Sequence, residues 1–158
     1  MVIRLKNFPT HIAVSDNKTY ANRYMKINGQ SIYNGKLNRF SRNIAIKNLH
    51  NYITSQLPKN KKITEYPIKI KYLFKVVKNY GSISRRKEKI IWKPYKDNYR
   101  ANWDIDNLAG IWIKAINDTL VKNKIIIDDT VVFIKGGDYE VEFVDDIKKM
   151  EIILTFTL

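Results

Sequence analysis

Cysteine is absent from the chain, which excludes disulfides and thiolate metal centres and leaves nothing at odds with a reducing cytoplasm. Histidine occurs only twice, at His11 and His50. Neither has a second ligand at metal-binding spacing, which argues against a histidine-rich zinc site. No stretch approaches the ~20 apolar residues of a membrane span, and MVIRLKNFPTHIAV at the start holds no continuous apolar segment of a secretory leader. The expectation is a protein that neither crosses nor is addressed to a membrane. Acid is scarce over most of the length: residues 1–100 carry 4 Asp/Glu against 23 Lys/Arg, whereas residues 101–158 carry 11 against 6.

What is present fits one soluble globular unit. The chain has 158 residues, 44% of them hydrophobic and 12% aromatic, enough for a single core. Its formal net charge is +14. An excess of that size concentrates polyanions and releases counterions when phosphates are neutralised, so nucleic acid is the first partner to consider. The plain alternative is a coding effect, because the chain is also crowded with Ile and Asn, as AT-rich genes produce.

Residues 1–35 are mixed and turn-rich. Within them Lys18, Arg23 and Lys26 interleave with Tyr20, Tyr24 and Tyr33, a pattern suited to phosphate contact and base stacking. Tyrosines of a short strand or hairpin give the same pattern. Over residues 38–57, Phe40, Ile44, Ala45, Leu49, Tyr52, Ile53 and Leu57 recur at helical steps, predicting an amphipathic helix ended by Pro58. YPIKIKYLFKVV alternates like a half-exposed strand. Residues 78–102 have no lasting periodicity and read as a long basic loop, with room for an interrupted hairpin. Leu108, Ile111, Trp112, Ala115, Thr119 and Leu120 then mark a second amphipathic helix, with Asp106 or Asn107 as its cap. KIIIDDTVVFIK, DYEVEFV and KMEIILTFTL follow as three strands, with a hairpin turn at Gly136 and Gly137. The expected fold is α+β: a single small domain, with a mixed or antiparallel sheet packed on one side by two main helices.

Against this basic background, the stretch NWDIDNLAGIWIKAIND sets Asp104 and Asp106 one residue apart. In extended backbone alternate side chains leave one face, so both carboxylates would point one way with Ile105 turned into the core and Cα atoms ~6 to 7 Å apart. That is near enough for one hard cation. Alternatively, Asp106 caps the helix and Asp104 pairs with a lysine. A second acidic pair, Asp128 and Asp129, follows the apolar run IIID. Adjacent strand residues face opposite ways, so one of the two, taken as Asp129, is expected to join the first pair. Three converging carboxylates suit Mg²⁺ or Mn²⁺, which prefer oxygen ligands.

DIDNLAGIWIKAINDTLVKNKIIIDDTVV resembles the signature of the RusA family of Holliday junction resolvases: a D-x-D-N opening a helix that holds a lysine and an aspartate, then an apolar segment and a D-D pair. The likeness covers about 30 residues. It implies a RusA-like fold and a small homodimeric, Mg²⁺-dependent endonuclease that cuts branched DNA, a bacterial protein or a phage protein of the bacterial cytoplasm. By position, Asp104 and Asp106 match the first two metal-binding acids and Asp129 the third. The family's helix lysine falls at Gly110 in this chain, a departure. One extra helical turn brings Lys114, Ala115, Asp118 and Leu120 into register with K-A-x-x-D-x-L, and moves a side chain ~6 Å along the axis. Lys114 is then either a catalytic cation or half of an i,i+4 ion pair with Asp118.

The function expected from sequence is paired phosphodiester hydrolysis at a four-way junction, with Asp104, Asp106 and Asp129 holding metal and Lys114 or a loop arginine offsetting charge on the phosphate. A twofold-symmetric junction suits a C₂ dimer. Arg23, Lys26, Arg85, Arg86, Lys87, Lys89 and Arg100 are the candidate backbone contacts. Trp92, Tyr95 and Tyr99 suit stacking or core, with core favoured for Trp92. The rivals are a non-catalytic DNA-binding or architectural protein, and a metal nuclease acting on flaps or single strands.

Overall fold

The computed structural model describes residues 1–15, 23–33, 37–86, 89–96 and 102–158, with backbone alone for Ser31, Tyr33, Arg85, Arg86, Lys89 and Ile90. The fold is α+β. The chain gathers into two compact units, one made of Met1–Phe8, His50–Val77 and Trp112–Leu158, the other of Pro9–Leu49 and Lys78–Ile111.

The first unit is built on a five-stranded sheet. Strand β1 (Val2–Lys6) runs antiparallel to β9 (Glu151–Thr157), and β9 antiparallel to β4 (Ile68–Val77). Along the other edge of β4 lie β7 (Ile134–Gly136) and β8 (Tyr139–Val144), both parallel to it. The two-residue period decides which side chains are buried. Ile3 and Leu5 of β1, Ile68, Ile70, Tyr72, Phe74 and Val76 of β4, and Ile152, Leu154 and Phe156 of β9 form one apolar face. Basic residues on the opposite face meet acids across the strands: Lys71 with Glu140 at 2.7 Å, Lys75 with Glu142 at 3.6 Å and Arg4 with Glu151 at 3.1 Å. Part of the acidity of residues 101–158 is therefore cross-strand pairing.

Helix α2 (Arg39–Thr54) lends Ile53 to this unit, and helix α3 (Ile105–Lys122) lends Trp112, Ala115, Ile116, Thr119 and Leu120. Trp112 is the anchor. Its fully buried ring meets Phe8 edge-on at 5.3 Å and Tyr52 at 5.8 Å between centroids. The Tyr72 hydroxyl donates to Oδ1 of Asn117 at 2.6 Å, tying α3 to β4.

The second unit has two small antiparallel ladders: β2 (His11–Ala13) with β3 (Tyr24–Lys26), and β5 (Ser82–Arg86) with β6 (Lys89–Lys93). A short helix α1 (Gly29–Tyr33) follows β3. Asn38 caps α2, accepting from the Ser41 amide at 2.8 Å. Asn79 ties the segment before β5 to the segment after β6: its Nδ2 donates to the Tyr95 carbonyl at 3.0 Å, and its Oδ1 accepts from the Gly81 amide at 2.8 Å. Gly81 has φ +63°, and a Cβ there would strike the Lys93 carbonyl and the Trp92 indole.

Several expectations need correction. The turn-rich start holds strand β1, whose Ile3/Leu5 alternation is short but regular. Phe40 is 79% exposed and does not join the core, and α2 ends at Thr54, before the expected stop at Pro58. Within residues 78–102 the hairpin for which the basic loop left room is present, β5 pairing antiparallel with β6. The strand expected over 124–135 shrinks to β7, with Ile125 and Ile126 buried in bends and Val131 and Val132 exposed. Gly136 and Gly137 make no hairpin turn, because β7 and β8 run the same way along β4. At Gly137 a Cβ would strike the Ile70 carbonyl, so the bare backbone allows a close approach between segments instead.

Candidate functional site

Helix α3 begins one residue after Asp104, which makes Asp104 its cap in place of the expected Asp106 or Asn107. The Leu108 amide donates to the Asp104 carbonyl at 2.9 Å and the Asn107 amide to Asp104 Oδ1 at 3.4 Å. Asp106 sits in the first turn, where its negative charge complements the helix dipole. The extended D-x-D geometry is therefore overturned: Ile105 is 45% exposed rather than turned into the core, and the two acids stand at the helix start instead of along one strand face. The helix wins because Leu108, Ala109 and Ile111 are all buried by it, which an extended segment would not achieve.

Both carboxylates are exposed. On the same unit, β3 supplies Lys26, whose Nζ lies 3.6 Å over the centroid of the Tyr80 ring. Tyr80 is itself set by edge contacts with Tyr95 at 5.5 Å and Trp103 at 5.7 Å. Burial pushes the Lys26 ammonium below the usual lysine range, and the negative charge of Asp104 opposes that shift. His11, paired in register with Lys26, is driven down to about 4 by burial and then by the Lys26 charge. A cation, an aromatic cradle and the cap acid of α3 thus occupy one neighbourhood. Tyr80 and Trp103 were not singled out from sequence; the contact joins residues more than fifty apart, and no local pattern signals it.

The position four residues beyond Asp106 is Gly110, where an added Cβ would meet nothing within 4 Å. The site there is open and carries no side chain. Lys114, in the other unit, lies 3.3 Å from Asp118 Oδ2, the i,i+4 pair stated as its alternative. Asp118 also acts on His50, whose pKa is lowered chiefly by burial, with Asp118 opposing and Lys122 and Lys114 assisting. Asp128 and Asp129 belong to that unit as well, but in a bend, not on the strand edge that was expected to separate their side chains. Asp128 Oδ1 accepts from the Asp129 amide at 2.7 Å, leaving Asp129 exposed. Tyr72 is raised mainly by burial; its hydrogen bond to Asn117 opposes this and the Asp129 charge adds to it.

Among the described residues, no group of three or more Asp, Glu, His or Cys gathers as a metal-ligand set. Asp104 and Asp106 nonetheless match what Mg²⁺ asks of a protein, one or two carboxylates with the remaining positions left to water and substrate phosphate. Of the candidate nucleic-acid contacts, Arg23 is exposed beside β3, and its amide donates to Ser15 Oγ at 2.7 Å. Arg85, Arg86 and Lys89 lie on the β5–β6 hairpin, while Lys87 and Arg100 fall outside the described residues, as does Tyr99. Trp92, expected in the core, is half-buried with Nε1 donating to the Tyr80 carbonyl at 2.9 Å, and Tyr95 is exposed. No helix among the described residues is long and apolar enough to cross a membrane. No protein-family model and no curated protein matches the chain.

Proposed function

We propose that this chain is a divalent-metal-dependent endonuclease acting on branched DNA such as a four-way junction, working as a homodimer and similar to RusA resolvases. The observation that carries the reading is the ordered acid pattern of residues 104–129 within a chain of net charge +14. The carboxylates of Asp104 and Asp106 are both exposed, and Asp104 acts electrostatically on the held Lys26, which is consistent with it. Asp104 and Asp106 would hold Mg²⁺, with Mn²⁺ as a substitute, and Asp129 is the third acid by resemblance. When bound, the metal supplies Lewis-acid polarisation of the phosphate and a water of lowered pKa. The bond balance is simple: a water oxygen attacks phosphorus in line, the bond from phosphorus to the 3′ oxygen breaks, and that oxygen takes a proton. The products are a 5′-phosphate and a 3′-hydroxyl.

The chain's own part is charge placement. Basic side chains grip the sugar-phosphate backbone, and acids at the start of α3 fix where a cation sits. Incubating the protein with a synthetic junction, a flap and a linear duplex, with and without Mg²⁺, tests this. Paired nicks confined to the junction are expected, lost on Asp106→Asn and lost without metal. Equal cutting of all three would mean a less selective nuclease.

A second reading is favoured by two specific contacts: Asp104 caps α3, and Lys114 pairs with Asp118. A non-catalytic DNA-binding protein would use its acids in that way. Junction binding without nicking under any divalent metal is its signature.

A further inference from the structure

Lysines are abundant in this chain, but Lys26 differs in how it is held. Most described lysines are exposed, with the head group in water. Lys26 is half-buried on β3, with its ammonium 3.6 Å above the Tyr80 ring, and the ring is fixed by Tyr95 and Trp103. Trp103 is the residue immediately before Asp104, so the cradle and the cap acid are joined by a single peptide bond. Asp104 is close enough to act on the lysine electrostatically, yet none of the ion pairs within 4.0 Å among the described residues joins the two. A lysine that only solvated the surface would lose little by swinging out. This one is restrained beside an acid with its donors unspent on that acid.

Resting on the nuclease reading above, we propose that Lys26 is a catalytic residue of the chemical step, donating from Nζ to a non-bridging oxygen of the phosphate under attack, with Tyr80 as the residue that positions it. The cation thereby comes from β3 of the same unit as Asp104 and Asp106, and not from the helix, where the open Gly110 offers no side chain and Lys114 is engaged by Asp118. Stabilising charge that grows on the phosphate acts on the rate more than on ground-state binding. An aromatic face holds the ammonium in place without neutralising it. Lys26 therefore separates from Arg23 and the hairpin bases, whose expected work is sequence-independent grip.

The test is single-turnover cleavage of a junction at saturating protein in Mg²⁺, with affinity measured separately in Ca²⁺, for Lys26→Met, Lys26→Gln and Tyr80→Leu. Lys71→Met, on the ion-paired face of the sheet, is the control. Loss of one charge-stabilising donor is expected to slow Lys26→Met and Lys26→Gln by about 10²-fold, with affinity changed less than about threefold. Tyr80→Leu should slow the step by about 3- to 10-fold through looser placement. Thermal melting identifies any variant that does not fold, and the glutamine variant decides the matter if the methionine one fails. An unchanged saturated rate with weakened, less salt-sensitive binding makes Lys26 an ordinary backbone contact and overturns the assignment alone. If the parent protein cuts no DNA with any divalent metal, the nuclease reading falls and takes the assignment with it.

Discussion

At the scale of single residues, Asp104 caps α3 and, in the function proposed above, would also hold the metal, and substitution can separate the two. As the cap of α3 it satisfies backbone amides, and asparagine does that about as well as aspartate, whereas alanine costs about 1 kcal/mol. Asp104→Asn should therefore melt near the parent temperature yet cleave no junction, while Asp104→Ala loses both; an Asn variant that retains full cleavage removes Asp104 from the metal site. His11 makes a different prediction. Its folded pKa of about 4 lies below the ordinary 6.5, so the folded state prefers the neutral ring and the unfolded chain takes up the proton first. The corresponding stability is complete above pH 6.5 and is lost as pH falls toward 4, by about 1–3 kcal/mol once solvent screening is allowed for. His50 adds to the same acid limb, its pKa being lowered too. Denaturant titrations from pH 7.5 to 4 should show His11→Gln with a shallower decline than the parent.

At the scale of elements, α3 is the one that sequence described best. Its apolar spacing was plain because 3.6-residue periodicity survives any tertiary detail, and Leu108, Ile111, Trp112, Ala115, Thr119 and Leu120 are all buried. What the pattern does not carry is the first turn, since a cap and an extended D-x-D look alike in one dimension. Trp112→Ala should destabilise by about 3–5 kcal/mol, because the whole indole is buried between Phe8 and Tyr52. Trp112→Phe should cost clearly less: the buried Nε1 has no hydrogen-bond partner among the described residues, so its removal leaves nothing orphaned. Chemical denaturation of both variants checks the order. The segment 124–135 failed as a strand for a physical reason as well. Apolar runs such as IIID and TVVF satisfy strand propensity, but β4 offers an edge only to the last few residues, and the rest turns.

At the scale of the molecule, charge is the strongest property, and it predicts behaviour rather than shape. With a net charge of +14, junction affinity should fall steeply between 50 and 200 mM salt, and each neutralised backbone contact, Arg23→Gln for example, should lower the logarithmic slope by about 1. A flat salt response would contradict a polyanion partner. By itself, the sequence determined the α+β class, the two long helices, strands β4 and β9, and the uneven charge, because these rest on periodicity and composition, which are local sums along the chain. Only the tertiary structure decided that β1 closes the sheet beside β9, that part of the acid of residues 101–158 pairs across strands, and that Lys26 rests on Tyr80. Each of these depends on residues far apart in sequence, and such contacts form only when burial of the apolar faces brings the segments together.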